Sequence, residues 1–356
     1  MLFTLLVMQS EAQFISFSEA EMARLKKRVK ADEHASRLYQ TWKAVADKAL
    51  DAEPGPIARI TSQGLLMGNP AKTASLNAVA DAPKMYALAL AYRLDRKPEY
   101  LSKAAQFLNA WAQTNKATGN PIDETKLEEV FLAFDLLKEK LPRDTRDRVV
   151  TWFENIAAAE LDSESAKAGR STAKNNWNSH RIKIMVQTTL ATGTRKFVAA
   201  IDKEIQNQIA VNLRADGSTF DFHERDALHY HIYSLEPLLK ALIAWKRAGN
   251  KNYFLYETSG GASVKKSVDF LLPFASGTQK HIEFANSTVG FDKARAGNGE
   301  KGYQPAAFVP ARSVPVLAEA VYFDPAYSRA IAAIPGIGSQ FLNWELLSAE
   351  IKSSRR

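Results

Sequence analysis

The chain has 356 residues, 46% of them hydrophobic and 24% charged, which is enough apolar sequence for a large core and too much for a disordered chain. The formal net charge of +8 favours an anionic partner. No dense Lys/Arg tract with interleaved aromatics marks a nucleic-acid module, no stretch has the apolar length of a membrane span, and the absence of cysteine excludes disulfides and thiol chemistry.

Residues 1–12 read as the remnant of a secretory signal. The apolar run Met1–Met8 is followed by Ser10-Glu11-Ala12, a small-x-small cleavage pattern, although a basic start is missing. The alternative is the apolar first turn of a core helix. The signal reading places the protein in the periplasm or outside the cell and leaves residues 13–356 as a single domain.

Ser18-Glu-Ala-Glu21 has the form of a capping box and opens an amphipathic helix that runs to about Leu50. Residues 51–80, with Gly64, Gly68, Asn69 and Pro70, read as a long loop and a candidate lid; the alternative is a plain surface connection. Asp81–Arg93 has apolar residues at helical spacing with Pro83 in the first turn. Further helices are expected at about Glu99–Thr114, Glu124–Lys140 and Asp144–Leu161, the second stopped by Pro142 and the third capped by Asp144. The small, polar loop 162–175 leads to a helix ending near Thr192, and Phe197–Leu213 is another. An apolar run covers Leu238–Ala248. From about residue 270 Gly, Pro and aromatics increase and the periodicity fades, as in Lys280-His-Ile-Glu-Phe-Ala-Asn-Ser287, before helices at Val314–Ala320 and Gln340–Lys352. With no fixed repeat and no linker, the expectation is all-α: stacked antiparallel helical hairpins in one domain.

Rare polar groups collect in two places. Of six histidines, His223, His229 and His231 lie in Asp221-Phe-His-Glu-Arg-Asp-Ala-Leu-His-Tyr-His-Ile-Tyr233, among Arg225, Tyr230 and Tyr233. His180 lies in Asn175-Asn-Trp-Asn-Ser-His-Arg181. On a helix, Asn176 and His180 share a face, as do Arg225 and His229. Asn176 and Asn175 offer neutral donors to a carboxylate, and Arg225 or Arg181 a charged fork. Trp177 offers a sugar platform. His180 exchanges protons near neutrality, and Tyr230, beside cations, could have its pKa lowered enough to act as a base. His229 and His231, two apart, lack a third ligand for a metal.

These groups fit β-elimination on a uronic-acid polymer. The C5 proton lies α to a carboxylate; neutralising that carboxylate allows its removal, and a Tyr protonates the departing glycosidic oxygen. His223, His229, Tyr233, Lys280, His281 and Arg295 are the further candidates for holding substrate. No metal and no organic cofactor are required. The expected partner is an acidic polysaccharide, not nucleic acid or membrane, and the expected state a monomer.

On Asp81-Ala-Pro-Lys-Met-Tyr-Ala-Leu-Ala-Leu-Ala-Tyr92, Asn109-Ala-Trp111, Asn175-Asn176-Trp177 with His180, and Ala227-Leu-His-Tyr-His231 followed by Leu235-Glu-Pro-Leu238, the chain resembles the alginate lyase superfamily, the helical-toroid polysaccharide lyases of families 5 and 38. The resemblance covers roughly residues 80–245. It implies an incomplete (α/α) toroid whose cleft takes alginate or a related uronan such as glucuronan. It also implies Tyr230 as base and acid, with an Asn, a His and an Arg around the uronate carboxylate. Family 5 places His directly after Asn-Asn, where this chain has Trp177, so that His180 stands as the replacement. Its Arg also lies further before the Tyr than Arg225 does. A non-catalytic uronan-binding protein on this fold would not need Tyr230. A glycoside hydrolase would need two opposed carboxylates, and no pair stands out.

Overall fold

The computed structural model describes residues 14–353, so the signal-like segment lies outside the described residues. The first hairpin comprises α1 (Glu19–Ala31) and α2 (Glu33–Ala49). The Ser18–Glu21 capping box is formed. The single helix expected over 18–50 divides at Asp32, whose backbone is extended and whose Oδ1 accepts from the His34 and Ala35 amides at 2.8 and 3.2 Å. A carboxylate that caps a new start has replaced a helical residue.

The expected loop 51–80 is irregular only to Asn69. That residue caps α3 (Pro70–Val79), with Pro70 at its first position. Then follow α4 (Asp81–Asp95), α5 (Pro98–Thr114), the single turn α6 (Pro121–Glu124), α7 (Glu128–Leu137), α8 (Arg143–Leu161), α9 (Asn176–Thr192) and α10 (Val198–Asn212). The Tyr/His segment is two helices, α11 (Phe220–Arg225) and α12 (Leu228–Arg247). After α13 (Val264–Phe270) and α14 (Leu272–Ala275), a two-residue strand β1 (Ile282–Glu283) pairs antiparallel with β2 (Ala306–Ala307). Between the strands lies α15 (Gly290–Gly297), and the chain ends with α16 (Val314–Ala320), α17 (Ala326–Ala332) and α18 (Trp344–Ser353).

Contacts pass from α2 to α4, α7, α9, α12 and α16 in turn, with α5, α8 and α10 outside, and α18 touches both α16 and α1. This is the helical toroid. One continuous core of apolar side chains runs through it, including edge-to-face pairs such as Phe131–Phe153 at 4.9 Å between centroids. Helix α9 has neighbours on every side, and from Asn178 to Ala191 each residue is buried. Its polar residues must therefore find partners inside: Lys183 Nζ donates to Glu128 at 2.6 Å, and Gln187 Nε2 to the same carboxylate at 3.1 Å. Among the described residues no helix is long and apolar enough to cross a membrane.

Candidate active site

The break between α11 and α12 sets the geometry. Asp226 adopts a left-handed conformation, φ 48°, so Arg225 and His229 do not share a helix face as their spacing suggested. The elbow is fastened to the β1 region: the Asp226 carbonyl accepts from the Phe284 amide at 2.7 Å and from His281 Nε2 at 3.1 Å, and its carboxylate accepts from the Asn286 amide at 2.8 Å. Ala227 offers no capping side chain. Buried Glu283 serves instead, accepting from the His229 amide at 3.1 Å in the first turn of α12.

The turn brings Arg225 back over Tyr230, with the guanidinium carbon 4.0 Å from the ring centroid. Asp292 on α15, 1% exposed, accepts from Arg225 Nη1 at 2.5 Å, from the Tyr230 hydroxyl at 3.4 Å and from Ser287 Oγ at 3.0 Å. Arg295, one turn on, donates from Nη1 to the Tyr230 oxygen at 3.2 Å and lies 4.4 Å over the Tyr303 ring. The phenol thus sits among two arginines and one carboxylate. Burial dominates its acidity: the Tyr230 pKa is raised, with Arg225 and Arg295 opposing and Asp292 reinforcing. The lowered pKa expected from neighbouring cations is not found; the resting group is a protonated phenol, a proton donor.

Tyr233 links this group to His180. Its ring lies 6.1 Å from Tyr230 and 4.4 Å from the His180 imidazole. Thr125 Oγ1 holds His180 Nδ1 at 2.9 Å, while Nε2 is buried without a hydrogen-bond partner among the described residues. Burial pushes the His180 pKa well down, aided by Lys183, so the ring is neutral. Asn176 is positioned from the other side: its backbone N–H and Nδ2 donate to Asp221 at 2.9 and 2.5 Å, and Asn212 Nδ2 donates to the second Asp221 oxygen at 2.7 Å. An amide nitrogen carries two hydrogens, and Asp221 takes one of those on Asn176. Half-buried Trp177 follows.

Other candidates are used differently. Asn175 caps α9 by accepting from the Trp177 amide at 3.0 Å. Arg181, 1% exposed, points outward, donating to Asn178 Oδ1 at 2.7 Å and to the Glu160 carbonyl at 3.1 Å and pairing with Glu204. A residue next to His180 on a helix faces about 100° away, so Arg181 holds α9 to α8 and α10 rather than reaching the cleft. His223 is exposed and meets Ser218 Oγ at 2.8 Å. His231 is fully buried between Thr219 Oγ1 at 3.2 Å and the Ser267 carbonyl at 2.9 Å, so neither nitrogen is open to a metal. His281 packs against Phe222 at 5.2 Å and secures the elbow; Lys280 is exposed beside it. His229 lies 5.1 Å from the Tyr230 ring.

Asp292, Tyr303 and Thr125 were not singled out in the sequence. The one local signal for Asp292 is its spacing from Arg295, three residues on a short helix. The tip of the 51–69 loop reaches the same lobe: the Met67 amide donates to Glu300 at 2.8 Å, and Asn298 Nδ2 to the Met67 carbonyl at 3.1 Å.

The sequence family described as alginate lyase matches residues 19–282. No curated protein matches the chain. Among solved structures, an alginate lyase from Bacteroides ovatus is similar with TM-score 0.70 and 19% identity, over 95% of this chain and 98% of that one. Alginate lyase A1-III from Sphingomonas species A1 gives TM-score 0.63 and 14% identity over 97% of each chain. Its Tyr-to-Phe variant complexed with a tetrasaccharide gives 0.56 and 17%, over 75% and 79%. At these identities the structures speak for the fold; the family match, over most of the chain, speaks for more. The chain belongs to the alginate lyase family and is a polysaccharide lyase.

Proposed function

We propose that this protein depolymerises alginate by β-elimination, with Tyr230 as the central proton carrier. The observation that carries the reading is the setting of Tyr230: its oxygen lies within reach of Arg295 and Asp292, its ring lies under Arg225, and the neutral His180 is one aromatic ring away. A uronate in this cleft would present its carboxylate to Asn176 and the arginines, which lowers the cost of carbanion character at C5. The C5–H bond breaks, the C4–C5 double bond forms, the C4–O bond breaks, and the Tyr230 proton passes to the departing oxygen. The two arginines stabilise the phenolate left behind. His180, whose Nε2 has no hydrogen-bond partner among the described residues, is placed to accept the C5 proton of one epimer, and that proton then returns to the Tyr230 phenolate, which restores both groups for the next turnover. No second opposed carboxylate is needed, in contrast to hydrolysis. That a tetrasaccharide complex of A1-III was obtained with a Tyr-to-Phe variant agrees with a tyrosine of this kind. A polymer substrate and the signal-like residues 1–12 together support action in the periplasm or outside the cell.

The test is Tyr230→Phe. The ring and its packing remain, and one oxygen is lost. Release of unsaturated uronate, followed by ultraviolet absorbance on mannuronate-rich, guluronate-rich and glucuronan substrates, should fall by about 10²–10⁴-fold or more with binding retained. A folded Tyr230→Phe protein that cleaves the best substrate at the wild-type rate refutes the mechanism, and a wild type that cleaves none of the panel refutes the activity.

A further inference from the structure

Helix α9 carries His180 at the cleft and Gln187 seven residues on, about 10 Å deeper along the toroid. There a cavity of about 130 Å³ lies between α2, α4, α7, α9, α12, α16 and α18. None of the catalytic-site side chains described above borders it.

Its charge balance is acidic, in a chain whose net charge is +8. The carboxyl groups of Glu128, Glu129, Glu319 and Glu345 face two ammonium groups, those of Lys240 and Lys352. The ammonium groups are turned to other partners. Lys240 is held by Glu236 at 3.0 Å and by Glu128 at 3.4 Å. Lys352 Nζ donates to the Ile15 carbonyl at 3.3 Å and lies 5.2 Å from the Phe17 ring centre. Glu128 is taken up by Lys183, Lys240 and Gln187. The side chains of Glu129 and Glu345, by contrast, make no hydrogen bond or ion pair among the described residues. Burial raises the pKa of Glu129, with Glu128 reinforcing, and burial raises that of Glu319 against Lys240 and Lys352.

A separate feature points the same way. Gln187, 3% exposed, donates from Nε2 to Glu128 at 3.1 Å. A carboxylate only accepts, so the amide oxygen is turned away from it. That Oε1 is buried with no hydrogen-bond partner among the described residues, an acceptor in want of a donor. Trp42, Tyr86 and Trp344 supply aromatic wall, with Trp42 meeting the other two at 5.0 and 6.0 Å between ring centres. Aromatic rings beside unpaired carboxylates attract a cation. A bare metal ion does not suit the site: among the described residues no three acidic or histidine side chains converge as a metal's ligands do. The volume equals that of about four water molecules, room for a cation of about four heavy atoms.

We propose that this axial cavity binds a small organic cation, a primary ammonium that donates to Gln187 Oε1 and to the unpaired carboxylates while its alkyl part lies against the tryptophans. The site stands apart from the lyase reading and does not rest on it.

The experiment titrates propylammonium chloride into the full chain by calorimetry near neutral pH at constant ionic strength, with thermal melts alongside. Saturable binding and a raised melting temperature are expected. Tetramethylammonium, which has no N–H, should bind more weakly, and neither 1-propanol nor sodium chloride should reproduce the effect. Glu129→Gln with Glu345→Gln keeps the shape and removes the charge. Neither carboxylate has a partner to lose, so this variant should melt no lower than the wild type. It should bind propylammonium at least about tenfold more weakly, the worth of one charge-assisted contact. Gln187→Met, which removes the unpaired acceptor at similar volume, gives the same comparison should the double variant unfold. Absence of saturable binding to the wild type overturns the site, as does undiminished affinity in the folded variants. Equal stabilisation by 1-propanol would mark an apolar void instead, and tetramethylammonium binding as tightly as propylammonium would overturn the role of Gln187 Oε1.

Discussion

Asp292→Asn isolates what the buried carboxylate does for Tyr230 and Arg225. In the native site it accepts three hydrogen bonds, from Arg225 at 2.5 Å, Ser287 at 3.0 Å and Tyr230 at 3.4 Å. The asparagine keeps one oxygen and turns an N–H₂ toward groups that are themselves donors. Removing one partner of a buried ion pair typically costs about 3–5 kcal/mol, and a retained oxygen recovers part of it, so a stability loss of roughly 3 kcal/mol is expected. The catalytic effect has two parts. Arg225 loses its anchor, and displacement of a positioning group by about 1 Å can cost about a hundredfold in rate. The Asp292 charge also helps raise the Tyr230 pKa against Arg225 and Arg295. With that charge gone the phenol ionises at lower pH, so the limb of the pH–rate profile governed by Tyr230 should move to lower pH. The assay is kcat/KM from unsaturated-product absorbance across the neutral and alkaline range, with thermal melts alongside. A folded Asp292→Asn protein with wild-type kcat/KM at every pH, or a Tyr230 limb shifted upward, would refute this account of the site.

How much of this could be read from sequence depended on how local the cause was. Helix starts were legible where a side chain caps its own helix, as Ser18, Asn69 and Asn175 do. Rare groups clustered in the Tyr/His segment marked it as a candidate site, but its geometry was not legible. The left-handed Asp226 has no strong sequence mark, and helical spacing misplaced Arg225 relative to His229. Arg181 was misread for a different reason. An all-buried helix has no polar face to separate cleft residues from those facing outer helices, so proximity to His180 carried no direction. Asp292, Tyr303 and Thr125 reach the site only through the closed toroid and the β1–β2 lobe. Long-range placement of that kind leaves no periodic signal.

Three further outcomes follow from the same geometry. Arg181→Met should lower stability by about 3 kcal/mol, because Glu204 and Asn178 lose a buried partner, while kcat/KM at a temperature where the variant is folded stays near wild type; a large KM increase would return Arg181 to the substrate. Glu300→Ala should release the Met67 amide and with it the loop tip, raising KM by up to about tenfold; unchanged KM and kcat would mean that the loop does not cover bound substrate. The last outcome concerns acid stability. Buried His231 is held neutral with its pKa lowered to about 4, because burial outweighs its bond to the Ser267 carbonyl. An unfolded histidine titrates near 6.5, so between these values the unfolded chain binds the extra proton. Stability contributed by this residue is therefore complete above about pH 6.5 and is lost as pH falls toward 4. Buried carboxylates with raised pKa, such as Glu160, act in the opposite direction, so the residue must be isolated by comparing wild type with His231→Gln. From about pH 7 to pH 5 the wild type should lose roughly 2 kcal/mol more than the variant in denaturant titrations. Parallel pH dependences in the two proteins would show that His231 is protonated in the native state, against the burial that holds it neutral.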